Sequence, residues 1–220
     1  MSPSRRLGAE FLGTALLLAV VVGSGIMGER LAGGNDALAL LANSLATGFG
    51  LTVLIALFLP VSGAHFNPVV SAAEAFDGRL RPTWTVSYIA AQVSGAIAGV
   101  AATHLMFGEP LFDPSTHARH GWPQLWSEAI ATFGLLLTIR GAVRLATLPA
   151  LVGAYIAAAY WFTASTSFAN PAVTIARSLT NTFTGIWPAD VPGFIVAQFT
   201  GGAAAVLVAR WLFATGTERT

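Results

Sequence analysis

The chain contains no cysteine and no lysine, and only 10% of its 220 residues are charged. Without cysteine there is no disulfide framework, no thiolate metal site and no cysteine nucleophile. The 11 cationic residues are all arginine and nearly balance 10 acidic ones, so the net charge of +1 offers no basic field to nucleic acid. Soluble domains carry about 25% charged residues. At 10% charged and 55% hydrophobic, this surface cannot be kept solvated by water, which argues against a soluble enzyme. The same apolar content excludes a disordered chain. What the sequence has in abundance is long stretches without charge.

Residues 11–28 form the first such stretch, close to the ~20 residues that a bilayer span needs. Met1 to Arg6 followed by an apolar run resembles a signal peptide, but Glu10 opens the run and no small-residue cleavage site follows. Residues 37–73 are too long for one span and too short for two. They break at Pro60, Ser62 and Gly63, which predicts a span over 37–59 and a short helix over 68–76. Residues 82–108 and 122–139 make two more spans, the second carrying Glu128. Residues 145–176 repeat the overlong pattern, with a span to about Thr163 and a short helix from Pro171; residues 191–209 make the last span. Each short segment, at ~1.5 Å rise per residue, reaches half of a ~30 Å hydrocarbon core. Non-helical backbone survives at that depth only inside protein or beside water. Six spans and two half-helices around a water-lined interior are therefore expected, in an all-α membrane protein forming one domain over 1–220.

The chain is written twice. AEFLGT at Glu10 matches SEAIAT at Glu128, HFNPVVS at Asn67 matches FANPAVT at Asn170, and AQVSG at Gln92 matches AQFTG at Gln198. The halves, 1–106 and 122–220, each hold three spans, so the second must be inverted in the membrane. Inverted repeats with paired half-helices place the functional site near the midplane. Arginine placement predicts both termini in the cytoplasm: Arg5, Arg6, Arg79, Arg81, Arg140, Arg144, Arg210 and Arg219 then lie inside, and Arg30, Arg119 and Arg177 outside. The longest connection, Phe107 to Gly121, faces outward and joins the halves.

Asparagine is a strong helix N-cap and proline suits the first helical position. Asn67-Pro68 and Asn170-Pro171 each read as a helix start, and inversion brings the two starts together. The carbonyl oxygen of each Asn is spent on capping, which leaves its NH2 donors to face a lumen. Two helix N-termini add positive partial charge at the same place. Such a site donates hydrogen bonds to a passing oxygen, repels cations and interrupts a proton wire.

SGAHFNPVVS and SFANPAVTIARS resemble the two signature loops of the aquaporin, or major intrinsic protein, family, and AEFLGT, AQVSG, SEAIAT and AQFTG extend the resemblance over nearly the whole chain. The resemblance implies six tilted helices, two re-entrant half-helices, one pore per protomer, a homotetramer in the lipid bilayer, and passive conduction of water or small neutral solutes; no cofactor or metal is expected. It implies a pore midplane of Asn67, Pro68, Val69, Asn170, Pro171 and Ala172, with Val69 where the family usually has alanine. Glu10 and Glu128 are expected to accept from backbone N–H groups of the re-entrant loops, with His65 orienting the first loop and Gln92 and Gln198 as clamps. The small residues Gly95 to Gly99, and Gly201 with Ala205, are expected to let helices approach closely.

The family's outer constriction maps, by counting from the two motifs, onto Thr47, Ala158, Ser167 and Val173, with none of the usual aromatic, histidine or arginine. A two-residue gap would bring Phe49 into the place of Thr47. Arg177 lies one turn beyond Val173, at the external mouth, where its guanidinium repels cations, binds the C-termini of loop segments, or is simply solvated. These residues predict a wide filter that admits glycerol, urea, arsenite and methylated arsenicals. The valine in place of the filter arginine resembles a bacterial subgroup of aquaglyceroporins associated with arsenic resistance, which implies a bacterial inner (plasma) membrane.

Two other classes compete. A secondary transporter shares inverted repeats and broken helices but wants coupling carboxylates at the midplane, and Glu10 and Glu128 lie toward span ends. An intramembrane serine protease built on Ser24 would need a base near it, and His65 and His104 sit in other segments. His117 and His120 form an HxxH pair in the outer loop that could hold a metal, but two histidines without further ligands are ordinarily surface residues.

Overall fold

The computed structural model of the chain describes residues 1–213, all helix and connection. Arg219, one of the arginines assigned to the cytoplasmic side, lies outside the described residues. Eight α-helices follow in order: α1 (Pro3–Leu31), α2 (Asp36–Ser62), α3 (Pro68–Phe76), α4 (Pro82–Phe107), α5 (Trp122–Gly141), α6 (Leu148–Phe162), α7 (Pro171–Arg177) and α8 (Val191–Leu212). Short 3₁₀ turns precede α6 and α8. Six helices are long, and α3 and α7 have only 9 and 7 residues.

Residue chemistry sets the boundaries. Asn35 caps α2 by accepting from Leu38 N–H at 3.2 Å. At its far end α2 runs through Pro60, where the sequence predicts a break. Proline there removes only one donor in the last turn, and the stop falls instead at Gly63, whose φ of 93° is left-handed. Five helices, counting α6 and α8 with their leading turns, are long and apolar enough to cross a bilayer by length and composition. The other long helix, α5, carries Gln124, Ser127 and a fully buried Glu128.

Packing repeats between the halves. Helix α1 packs on α2 and α4 as α5 packs on α6 and α8, α2 meets α6 across the centre, and both half-helices contact α4 and α8. The α1–α4 seam is backbone-tight: a Cβ at Gly95 or Gly99 would fall on the carbonyl oxygen of Phe11 or Ala15. Gly201 makes the same approach to Ala129 between α8 and α5. Outward faces are apolar, with Leu12, Leu16, Phe49, Val53, Leu57, Val86 and Trp211 exposed. The interior holds the polar groups instead, Glu10, Gln92, Glu128 and Gln198 each at 0% exposure. A chain that is apolar outside and polar inside is built for lipid, as a multi-pass membrane protein.

Candidate functional site

The two half-helices meet through their caps. Asn67 Oδ1 accepts from Val69 N–H at 2.9 Å, and Asn170 Oδ1 from Ala172 N–H at 3.0 Å. Each NH2 then reaches across the repeat boundary: Asn67 Nδ2 donates to the Ala169 carbonyl at 2.7 Å, and Asn170 Nδ2 to the Phe66 carbonyl at 2.7 Å. The sequence leaves both amide hydrogens of each Asn for the lumen; the structure takes one for this crossed pair and leaves one. Pro68 and Pro171 start the half-helices as expected, but with Val69 and Ala172 they do not line the lumen. Helix register turns the third residue after each Asn inward instead, Val70 and Val173. The larger Val69 has space because Gly202 of α8 carries no Cβ to collide with its Cγ1.

The segments before each Asn are strained. Ala64, Phe66, Thr166, Ser167 and Ala169 have φ between 49° and 60°, a left-handed conformation that costs a non-glycine residue about 1–3 kcal/mol. Buried carboxylates hold it. Glu10 accepts from His65 N–H (3.0 Å), Phe66 N–H (2.8 Å), Ser62 Oγ (2.6 Å) and Gln92 Nε2 (2.8 Å). Glu128 accepts from Phe168 N–H (2.9 Å), Ala169 N–H (2.9 Å) and Gln198 Nε2 (2.6 Å). Gln92 and Gln198 also donate to Ser71 and Thr174 of the half-helices, at 2.9 and 2.8 Å. His65 Nδ1 lies 3.0 Å from the Ser71 hydroxyl. Among the described residues no protein donor reaches the carbonyls of Gly63, Ala64 and His65, or of Ser167 and Phe168, and all five residues border the lumen. Acceptors left open in this way are met by donors inside the lumen.

That lumen is a cavity of about 280 Å³ running from Glu74, Arg79 and Leu145 at one end, past the Asn pair, to Thr47, Tyr160 and Arg177 at the other. One wall is the two re-entrant segments. The rest comes from stripes spaced four residues apart: Leu17 and Val21 on α1; Thr47, Leu51, Ile55 and Leu59 on α2; Leu135 and Ile139 on α5; Val152, Ile156 and Tyr160 on α6. A solute therefore meets polar backbone on one side and branched hydrocarbon on the other.

The end of the lumen lined by Thr47, Tyr160 and Arg177 differs from the counted filter. Thr47 lines it and is buried, whereas Phe49 is 70% exposed on the outer face, so no gap intervenes. Ala158 is exposed on the far side of α6 and does not line the lumen. Its place is taken by Tyr160, two residues on, because the turn over 163–169 is too irregular for residue counting to carry the helix register across. The Tyr160 hydroxyl lies 3.2 Å from Thr47 Oγ1. The continuous stripe from Val152 was the signal for it. Ser167 and Val173 line the cavity as expected. Arg177 also lines it, at 2% exposure, with its guanidinium 3.4 Å from the Phe168 ring centroid and Nε bonded to the Thr184 carbonyl. It is thus a buried, carbonyl-bound side chain rather than a solvated one. This end of the lumen thus carries Tyr160 and Arg177 beside Thr47, Ser167 and Val173, with valine at the position three residues after Asn170.

A helical membrane protein with a crossed pair of capped re-entrant half-helices, and a polar-backed lumen between them, is by construction a channel. The family model described as major intrinsic protein matches residues 1–146. The chain is 55% identical over 211 residues to aquaglyceroporin AqpS of Rhizobium meliloti (strain 1021), covering 95% of this chain and 90% of that protein. It is 30% identical over 225 residues to the probable aquaporin TIP2-2 of Oryza sativa subsp. japonica, covering 94% and 87%. The X-ray structure of the aquaglyceroporin from Plasmodium falciparum superposes with a TM-score of 0.75 at 20% identity, over 96% of this chain and 95% of that one, which shows the shared fold. The chain belongs to the major intrinsic protein family. It is a channel for water and small neutral solutes, and not an enzyme.

Proposed function

We propose that this channel passes linear polyols such as glycerol, and small neutral hydroxides such as arsenite, together with urea and water. The observation that carries the reading is the two-sided lumen. Open carbonyls and one Asn amide hydrogen on each side of the midplane serve hydroxyls on one wall. The leucine, isoleucine and valine stripes of α1, α2, α5 and α6 accommodate a carbon backbone on the other. The 55% identical relative named an aquaglyceroporin supports the same reading. The small Val173 keeps the lumen open below Tyr160, and Arg177, one turn out, supplies charge. Methylated arsenicals fit the same description of an oxygen-bearing solute with an apolar side.

The assembly in this reading is a homotetramer in a bacterial inner membrane with both termini cytoplasmic. The end that carries Arg6, Arg79, Arg140 and Arg210 is then inside, and the end with Arg30, Arg119 and Arg177 outside. A coupled transporter is disfavoured because Glu10 and Glu128, the embedded carboxylates, are saturated by four and three donors and have no lumen face. Stopped-flow light scattering of proteoliposomes tests the proposal. Glycerol and arsenite should equilibrate faster than in protein-free vesicles, without response to proton or sodium gradients. A gradient-driven accumulation, or water flux alone, would overturn it.

A further inference from the structure

The loop joining the repeats, residues 108–121, is fastened to the chain that follows α7. Asp113 N–H donates to the Leu179 carbonyl at 3.1 Å, Ser115 N–H to Ser178 at 3.0 Å, and Trp187 N–H to His117 at 2.7 Å. Near its end stands Arg119, whose backbone N–H is held by the Asp190 carboxylate at 2.7 Å. Its side chain is held beside the lumen without lining it: Nε donates to the Gly185 carbonyl at 2.7 Å and Nη1 to the Ser165 carbonyl at 3.3 Å. The Arg119 guanidinium carbon lies 5.1 Å from the centroid of the Phe168 ring, the same ring on which Arg177 is stacked.

Every protein acceptor of these two guanidiniums is a neutral carbonyl. Among the described residues no carboxylate oxygen lies within 4.0 Å of either. The terminal nitrogens of Arg177, and Nη2 of Arg119, have no protein acceptor there. The Asp190 carboxylate is engaged by the Arg119 backbone N–H. The two guanidiniums therefore have no ion-pair partner in contact, and the nearby buried Glu128 carboxylate is taken up by loop backbone and Gln198.

We propose that Arg119 is a specificity-determining residue of this channel: with Arg177 it forms a two-guanidinium station at the outer mouth that turns back cations and presents N–H donors to solutes with oxygen acceptors. The position three residues after Asn170 is Val173, which supplies neither charge nor donor, so the work falls to residues further out. Arg177 alone provides one charge, and the inter-repeat loop brings the second. A cation reaching Arg177 in the lumen is repelled by it and by Arg119 at the same Phe168 ring, which at an effective dielectric near 20 and physiological salt lowers its entry on the order of tenfold per charge. A neutral polyol is not repelled, and gains acceptors' partners at the point where it sheds water. The proposal rests on the reading of Thr47, Tyr160, Ser167, Val173 and Arg177 as the selecting constriction.

The test compares Arg119→Gln and Arg119→Met, which remove the charge, with Arg119→Lys, which keeps it. Each is measured in proteoliposomes as potassium permeability relative to water permeability, with glycerol permeability recorded beside it. Gln and Met should raise the potassium-to-water ratio on the order of tenfold, and Lys should hold it near that of the unmodified protein. An unchanged ratio in both neutral variants overturns the proposal, as does a Lys variant that leaks as much as Gln. A loop that is merely loosened would treat all three substitutions alike. Because water is the denominator, exclusion of glycerol by the unmodified protein would refute the polyol reading while leaving the test of Arg119 intact.

Discussion

Replacing Glu128 by alanine removes the acceptor for three buried donors, Phe168 N–H, Ala169 N–H and Gln198 Nε2. Gln198 can turn toward Thr174, which it already reaches at 2.8 Å. The two backbone groups cannot turn, because Ala169 is fixed at φ 49° and its carbonyl is clipped by Asn67. A buried donor left unpaired costs about 1–3 kcal/mol, so the pair costs about 2–6 kcal/mol. Glutamine keeps one oxygen. Placed where Oε2 lies, it still serves Ala169 and Gln198 and leaves only Phe168 N–H facing the new NH2, at about 1–3 kcal/mol. Against a typical stability of about 5–15 kcal/mol, the alanine variant should lose a large part and the glutamine variant a smaller one. Unfolding in mixed micelles, followed by the fluorescence of the six tryptophans, measures both. The order should be unmodified protein, then Glu128→Gln, then Glu128→Ala. Equal stability of the two variants would show that the carboxylate does not hold the loop, and the reasoning would fail.

Asn170→Asp replaces the donor to the Phe66 carbonyl by an acceptor, so glycerol flux should fall and cation leak rise; flux equal to that of the unmodified protein would remove the Asn pair from the path. Tyr160→Ala should widen the lumen beside Thr47 and raise permeability to solutes larger than glycerol, which a size series in swelling assays reads directly. Val173→Arg combined with Arg177→Ala moves the cation one turn inward beside Tyr160 and should lower the glycerol-to-water permeability ratio; no change would mean that Val173 does not face the lumen. At the opposite end, burial raises the Asp77 carboxyl, but hydrogen bonds from Arg140 and Arg210 and the nearby Arg79 charge outweigh it and hold Asp77 below its ordinary value. Its contribution to stability is therefore full above the unfolded carboxyl value near ~4 and is lost as pH falls through the lower folded value. Asp77→Asn should flatten this acid limb, and superimposable acid profiles would contradict the role.

The repeat, the spans and the paired Asn-Pro starts were legible because each is a local pattern stated twice. Two copies of one motif constrain geometry that a single copy does not. Glu10, Glu128, Gln92 and Gln198 were legible for a related reason: a charge or amide inside a span must be satisfied, and the nearby irregular backbone supplies donors. Positions reached only by counting across irregular backbone were not legible. Ala158 was counted through the 163–169 turn, where Thr166, Ser167 and Ala169 are left-handed, and the count slipped by two to miss Tyr160. The second hydrogen-bonding duty of each Asn was also hidden, since it depends on a carbonyl more than 100 residues away. Arg119 read only as an outward charge, because nothing in a loop sequence says which carbonyls a long side chain will find.

The crossed asparagine bonds impose an order on synthesis. Asn67 Nδ2 and the Phe66 carbonyl find their partners 102 and 104 residues later in the chain. At about 5–20 residues per second, that gap lasts roughly 5–20 s on the ribosome. During it the Asn67 amide and the Phe66 carbonyl lack the partners they have in the finished fold. Water, or the insertion machinery, must hold that segment open until residues 169 and 170 arrive. The pore is therefore finished by the last third of the chain, and a nascent product truncated before Ala169 has a vestibule but no closed midplane.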